Sequence, residues 1–307
     1  MVSLFSSAES DNQIGVDFLP AGVAVVRVQS ARKKSGPIVS SEYLPSVGQQ
    51  SQVEALQHWV RENQLQKSPC VCLIAIEDCD THQVEKPEVD PAELNQALTW
   101  RIKDLIDYDV GSAVVDSYPM PTSSKNNRLQ VNVVSAHESV IGSYVDSIKS
   151  AGLSLEAIDI HDLVGKNLDL VRHGAGETQA ILVLTENSGF LSIYHDTDLY
   201  VSRDFKVGIN QIEPASDEDQ SAYDSLLLEI QRSFDYFGSF YELGSISRLQ
   251  IYPQQAATEK LVMYLQNATS FEIDFVSSKQ EQSAGIPADL EPHCFHAYCA
   301  ALRGVSR

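Results

Sequence analysis

Two uninterrupted apolar runs, residues 71–76 (VCLIAI) and 180–184 (AILVL), constrain this chain more than any other feature of it. A strand with one face in water alternates polar and apolar residues. A run without alternation has to be covered on both faces, which is the situation of a strand in a sheet flanked by helices. Neither run approaches the roughly 18 residues that a membrane-spanning helix needs. The expected fold class is therefore α/β.

A similar pattern surrounds each run. In the first half, residues 13–18 and 23–28 read as strands joined by the turn Leu19-Pro20-Ala21-Gly22. A basic, loop-like stretch over 32–37 and a helix over 51–66, with Val53, Leu56 and Val60 at helical spacing, lead into the strand at 71–76. In the second half, strands at 179–184, 190–194 and 199–205 are separated by turns, the first of them Glu186-Asn187-Ser188-Gly189. Such recurrence suggests two lobes built on one plan, and a chain of 307 residues is long enough for two cores. On periodicity alone, other β-rich lobes would fit as well.

Between the two halves, residues 90–118 read as a helix, an acidic turn and a strand. Asp90 can cap, Pro91 suits the first helical position and Glu93 completes a capping box. Leu94, Ala97, Leu98, Ile102, Leu105 and Ile106 form one stripe before Asp107, Asp109 and Gly111 stop the helix. A strand over 128–135, a helix over 138–151 ended by Gly152, a strand over 153–160 and a helix over 162–171 follow, and His173-Gly174-Ala175-Gly176 reads as a linker. The strongest helix is 223–241, with Leu226, Leu227, Ile230, Phe234, Phe237 and Tyr241 on one face. Beyond it, a strand at 249–252, a helix at 259–267, a strand at 271–276, a polar loop and a closing helix at 296–303 complete the chain.

Lysine and arginine number 22 against 42 aspartates and glutamates, a formal charge of −20 that repels nucleic acid and anionic membranes alike. The N-terminus lacks the basic and apolar regions of a signal peptide, and five scattered cysteines point to reduced thiols and a cytoplasmic protein. The stretch His293-Cys294-Phe295-His296-Ala297-Tyr298-Cys299 has the residue types of a metal site. Helical spacing puts His296 and Cys299 on one face and Cys294 on another, so packing rather than metal binding is expected of it.

Several stretches resemble the PilM-like type IV pilus assembly proteins, including their MSHA-pilus branch. Trp100 in mid-helix, Ile106 at its end, and Asp116 and Tyr118 in the next strand match one of them. Gly15 and Asp17 match the first phosphate loop of the actin-like superfamily to which those proteins belong, and Asp159 matches the end of a strand closing the first lobe. Glu229, Arg232, Ser233 and Phe234 match a helix of the second lobe, and Ala297-Tyr298 with Ala300, Ala301 and Leu302 match the closing helix. The departures fall in the loops. Leu19, Pro20 and Ala24 replace Gly, Ser and Lys in the first, Thr185 and Glu186 stand in the second, and Pro253-Gln254-Gln255-Ala256 replaces a glycine turn. A phosphate cradle needs backbone N–H groups close to the anion, which Leu-Pro obstructs.

The resemblance implies a two-lobed actin-like fold related to the cytoplasmic domain of the secretion protein GspL. Its expected parts are a tail (1–12), a first lobe (13–173) with a small subdomain inserted around 80–135, a second lobe (174–290) and a closing helix (291–307) that returns to the first. It implies a cytoplasmic scaffold that docks the cytoplasmic tail of a PilN-type inner-membrane protein, in a groove near Leu98, Ile102, Ile106, Tyr108 and Tyr118. Asp17, Gly22, Glu229 and Arg232 would mark a vestigial nucleotide cleft, with no catalytic residue, no metal and no cofactor, ATP and magnesium being disfavoured. The alternative reading is a nucleotide-binding or ATP-hydrolysing switch or filament former, which would share the fold.

Overall fold

The computed structural model describes residues 12–29, 38–122, 129–168, 177–213, 219–276, 286–287 and 289–304. They divide between two compact units, one drawn from 1–78, 139–167 and 287–307, the other from 79–138 and 168–286. The stretches 32–37 and 173–176, read above as loop and linker, lie outside the described residues.

In the first unit, β1 (Asn12–Leu19) and β2 (Gly22–Gln29) form an antiparallel hairpin extended by β3 (Ile38–Pro45). After α1 (Gln49–Glu62), β4 (Pro69–Leu73) adds in parallel to β1, with all five of its residues buried. This is the covered strand that the apolar run demands, placed two residues earlier. The run's end turns into a short 3-10 helix (Ile76–Asp78), where Ile76 is exposed. The sequence gives no warning of β3, a half-exposed edge strand without an apolar stripe.

The segment that follows belongs to the second unit. It contains β5 (Asp80–Glu85), α2 (Leu94–Ile102), β6 (Ala113–Pro119) and β7 (Gln130–His137), in a three-stranded antiparallel sheet of order β5-β7-β6. Leu98 and Ile102, fully buried, pack with Val131 and Val133 beneath the helix. Burying each such side chain stabilises by about 1.5–3 kcal/mol. Two expectations fail here. Asp90 makes no side-chain capping bond and precedes a 3-10 turn (Pro91–Glu93), so the capping box does not form. The α-helix also stops at Ile102, whose carbonyl accepts from both the Leu105 and Ile106 amides. Asp104, Asp107 and Asp109 follow, and acidic groups at a helix C-terminus oppose its dipole.

The chain then rejoins the first unit through α3 (Glu138–Ala151), β8 (Ser154–Asp159) and α4 (His161–Val164), giving a sheet of order β3-β2-β1-β4-β8. Of the helix expected over 162–171, the described part is the single turn α4 and a 3-10 turn (Gly165–Asn167), and 169–171 lie outside the described residues.

The remainder of the second unit repeats the plan. β9 (Thr178–Leu184), β10 (Gly189–His195) and β11 (Asp198–Phe205) form an antiparallel meander. The helices α5 (Ile209–Ile212) and α6 (Ser221–Tyr241) follow, then β12 (Arg248–Tyr252), α7 (Ala256–Ala268) and β13 (Glu272–Phe275). The strand order is β11-β10-β9-β12-β13, with β12 and β13 parallel to β9, which is the first sheet's plan strand for strand.

The closing helix α8 (Phe295–Ala301) lies in the first unit and is buried on every side. It runs so close to β1 that a Cβ on Gly15 would sit 1.8 Å from the carbonyl oxygen of Ala297.

Candidate functional site

In parallel sheets, the residues available for chemistry gather at the carboxyl ends of the strands. In the first unit, Asp17, Leu73 and Asp159 stand side by side at that edge of β1, β4 and β8. Both carboxylates are already engaged. Asp159 is held by the Arg303 guanidinium at 2.6 Å, and its other oxygen accepts from the Ile160 amide. Asp17, 1% exposed, lies 3.0 Å from Nε2 of His161, the first residue of α4.

The ring of His296, from α8, stands edge-on to His161 with centroids 4.9 Å apart. Among the described residues, Asp17, His161 and His296 are the only three ligand-type side chains whose donor atoms all come together, within 4.8 Å of one another. Burial pushes the Asp17 carboxyl up, but the charge and hydrogen bond of His161 outweigh it and hold it below the usual range. His161 is lowered by burial and raised more strongly by Asp17, for a net rise. His296 is depressed to about 3 by burial and then by the neighbouring His161. The close pair thus favours its charged forms in both partners, while burial keeps the His296 ring neutral. One oxygen of Asp17, Oδ1, is buried with no hydrogen-bond partner.

The turn beside this cluster is tight. Leu19 pairs with Gly22, and the Gln52 side chain donates to the carbonyls of both, at 2.6 and 3.2 Å. Gly22 is required by contact, since a Cβ there would meet Leu44 O and the Tyr43 ring at 2.6 Å. The corresponding turn of the second unit closes on itself, with the Thr185 hydroxyl accepting from the Ser188 amide at 3.2 Å. After β12, the Thr258 hydroxyl takes the Gln255 amide and donates to Pro253 O. Glu229 and Arg232 form an ion pair with each other along α6, 2.9 Å long and largely exposed.

The residues expected at a docking groove separate by depth. Leu98 and Ile102 are fully buried under α2 and cannot meet a partner, which corrects the expectation for those two. Helical periodicity identifies a stripe, and here that stripe faces the sheet. Ile106 is partly buried against the same core. Tyr108, half-buried with its ring edge-on to His137, and Tyr118 on β6 remain partly accessible. On the other face of α2, Trp100 is 61% exposed, and Leu105, Val114 and Leu129 are also exposed in the same segment.

No local spacing in the sequence marks His161. The available signal was its place just past the end of a strand parallel to the one that carries Asp17. His296 stands out in the sequence only through the cysteines around it. Cys294 instead directs its thiol to the carbonyls of Glu42 and Val25, and burial pushes it up to about 12.

The chain matches no family model and no curated protein sequence. Its fold is that of solved actin-like proteins. It is similar to a PilM–PilN type IV pilus biogenesis complex, with TM-score 0.70, 17% identity and coverage of 96% of this chain and 99% of the other. It is also similar to the cytoplasmic domain of EpsL, an inner-membrane component of the type II secretion system of Vibrio cholerae, with TM-score 0.50, 14% identity and coverage of 84% and 96%. A Bacteroides thetaiotaomicron protein with an actin-like ATPase fold gives TM-score 0.51 at 8% identity, covering 86% and 90%. The two-lobed actin-like fold class expected from the sequence is therefore established.

Proposed function

We propose that this protein is a cytoplasmic scaffold of a type IV pilus machine, of the PilM kind and within it the MSHA-pilus branch. In this reading it docks the cytoplasmic tail of a PilN-type inner-membrane partner and does not turn over nucleotide. The observation that carries the reading is the small sheet of residues 79–138. Half of the large exposed apolar side chains among the described residues fall there, namely Val89, Trp100, Leu105, Val114 and Leu129. An apolar surface of this kind fits a protein partner. β6 is also an edge strand, whose backbone can take an extended tail as an added strand.

The loops support the second half of the reading. A magnesium-bound nucleotide needs an accessible carboxylate and free backbone donors. Asp17 is instead buried against His161, Pro20 has no N–H, and the Ser188 and Gln255 amides are taken by Thr185 and Thr258. The residues present do not fit that group. Purified protein with magnesium and ATP is expected to release phosphate no faster than a protein-free blank. An Asp17-dependent rate would promote the switch reading.

No helix among the described residues is long and apolar enough to cross a membrane. Recruitment through a tail is the economical route for a chain of charge −20, since tails on the cytoplasmic side are rich in Lys and Arg. Opposite charges speed encounter, so raising salt should slow association more than it speeds dissociation. Trp100→Ala should weaken tail binding by about tenfold or more, the range of an exposed aromatic anchor. Met263→Ala, exposed on α7, is the control. Ile106→Asp is a poorer probe, because Ile106 also packs on the core of this sheet and its loss would report on folding. Equal binding by parent and Trp100→Ala would place the contact elsewhere.

A further inference from the structure

We propose that Asp17, His161 and His296 form a binding site for one divalent transition-metal ion of the zinc class. This proposal is independent of the scaffold reading above and stands or falls separately.

Three residues far apart in sequence are carried to one point by three different elements, the carboxyl end of β1, the first turn of α4 and the first turn of α8. Their donor atoms lie within 4.8 Å of one another. Two ligands each about 2.1 Å from a metal are about 3.0 Å apart on an octahedral ion and about 3.4 Å apart on a tetrahedral one. The 3.0 Å between His161 Nε2 and Asp17 Oδ2 matches that spacing as well as it matches a hydrogen bond.

A second observation points to a ligand. Asp17 Oδ1 is buried and has no hydrogen-bond partner. A carboxylate oxygen withdrawn from water without a partner is costly, and a cation held by both oxygens of Asp17 satisfies it. His296 is held in place by the close approach of α8 to Gly15, so the third ligand is positioned by packing rather than by a flexible loop.

The donor set selects the ion. Two imidazoles and one carboxylate suit zinc, cobalt, nickel or iron, whereas magnesium and calcium prefer oxygen throughout. Three protein ligands leave a coordination position for water. Because His296 comes from the closing helix, the ion would also fasten α8 to the sheet.

The test uses the full chain, stripped with a chelator and titrated with cobalt(II), read by visible absorption, and with zinc(II), read by metal content after gel filtration. One ion per chain is expected, together with a higher melting temperature in zinc and no displacement by millimolar magnesium. His296→Gln leaves the Asp17–His161 pair intact and should weaken cobalt binding at least about 100-fold, beyond the loss usual for a supporting residue. His58→Gln, which removes an exposed histidine paired with Glu62, should change nothing. Absence of a stoichiometric ion in the folded parent overturns the proposal. So does undiminished binding by folded His296→Gln, and Asp17→Asn serves the same purpose if that variant does not fold.

Discussion

Gly15→Ala is expected to destabilise the first unit by about 3 kcal/mol, at the upper end of what overpacking a core costs. The added Cβ would stand 1.8 Å from Ala297 O, 2.8 Å from Ala297 C and 3.0 Å from the Ala301 amide nitrogen, and all of these are backbone atoms. Backbone cannot step aside as a side-chain tip can. β1 cannot retreat either, because it is held between β2 and β4. Either α8 lifts, exposing a helix that is buried all round, or the strand distorts. The two tryptophans divide the readout. Trp59 is buried in the first unit and Trp100 is exposed in the second. In a Trp100→Phe background the remaining fluorescence reports the first unit, whose midpoint should fall by about 10 °C. An unchanged midpoint would show that α8 does not lie against Gly15. The result would also give Gly15 a role that its place in a phosphate-loop pattern does not suggest, as the notch that admits the closing helix.

Much of the fold was legible because its strongest elements obey one rule each. β4 is apolar throughout because both faces are covered, and α6 shows its stripe because one face meets a core. The elements that escaped, β3 and β5, are edge strands with half-exposed residues, where nothing forces alternation. The candidate site was less legible for a different reason. Asp17 could be picked out by a local pattern, but His161 and His296 reach it through the pairing of β1, β4 and β8 and the return of α8, which no local spacing encodes. The same limit applied at α2. Period alone gives the stripe containing Leu98 and Ile102, yet whether a stripe meets a sheet or a partner depends on what lies beneath it. Trp100, off the stripe, is the more exposed residue.

Asp17→Ala is expected to destabilise the metal-free protein by about 3–5 kcal/mol, because it leaves the buried His161 ring without the carboxylate it pairs with at 3.0 Å. Asp17 is 1% exposed and the His161 side chain 9%, so water screens the interaction little. The double variant Asp17→Ala/His161→Ala should be much less destabilised than the sum of the singles, the sign of a directly coupled pair. This measurement separates two roles for one carboxylate. A carboxylate kept ready for a magnesium-bound nucleotide is a charge whose removal leaves the empty protein unharmed or more stable, as is common for active-site groups. A carboxylate that anchors α4 beside the closing helix is one whose removal loosens the whole edge of the sheet. A neutral or positive change in stability for Asp17→Ala would restore the nucleotide reading of this loop. A large loss, with His161 accounting for most of it, would show that the residue most suggestive of an ATPase has become part of the framework of the first unit.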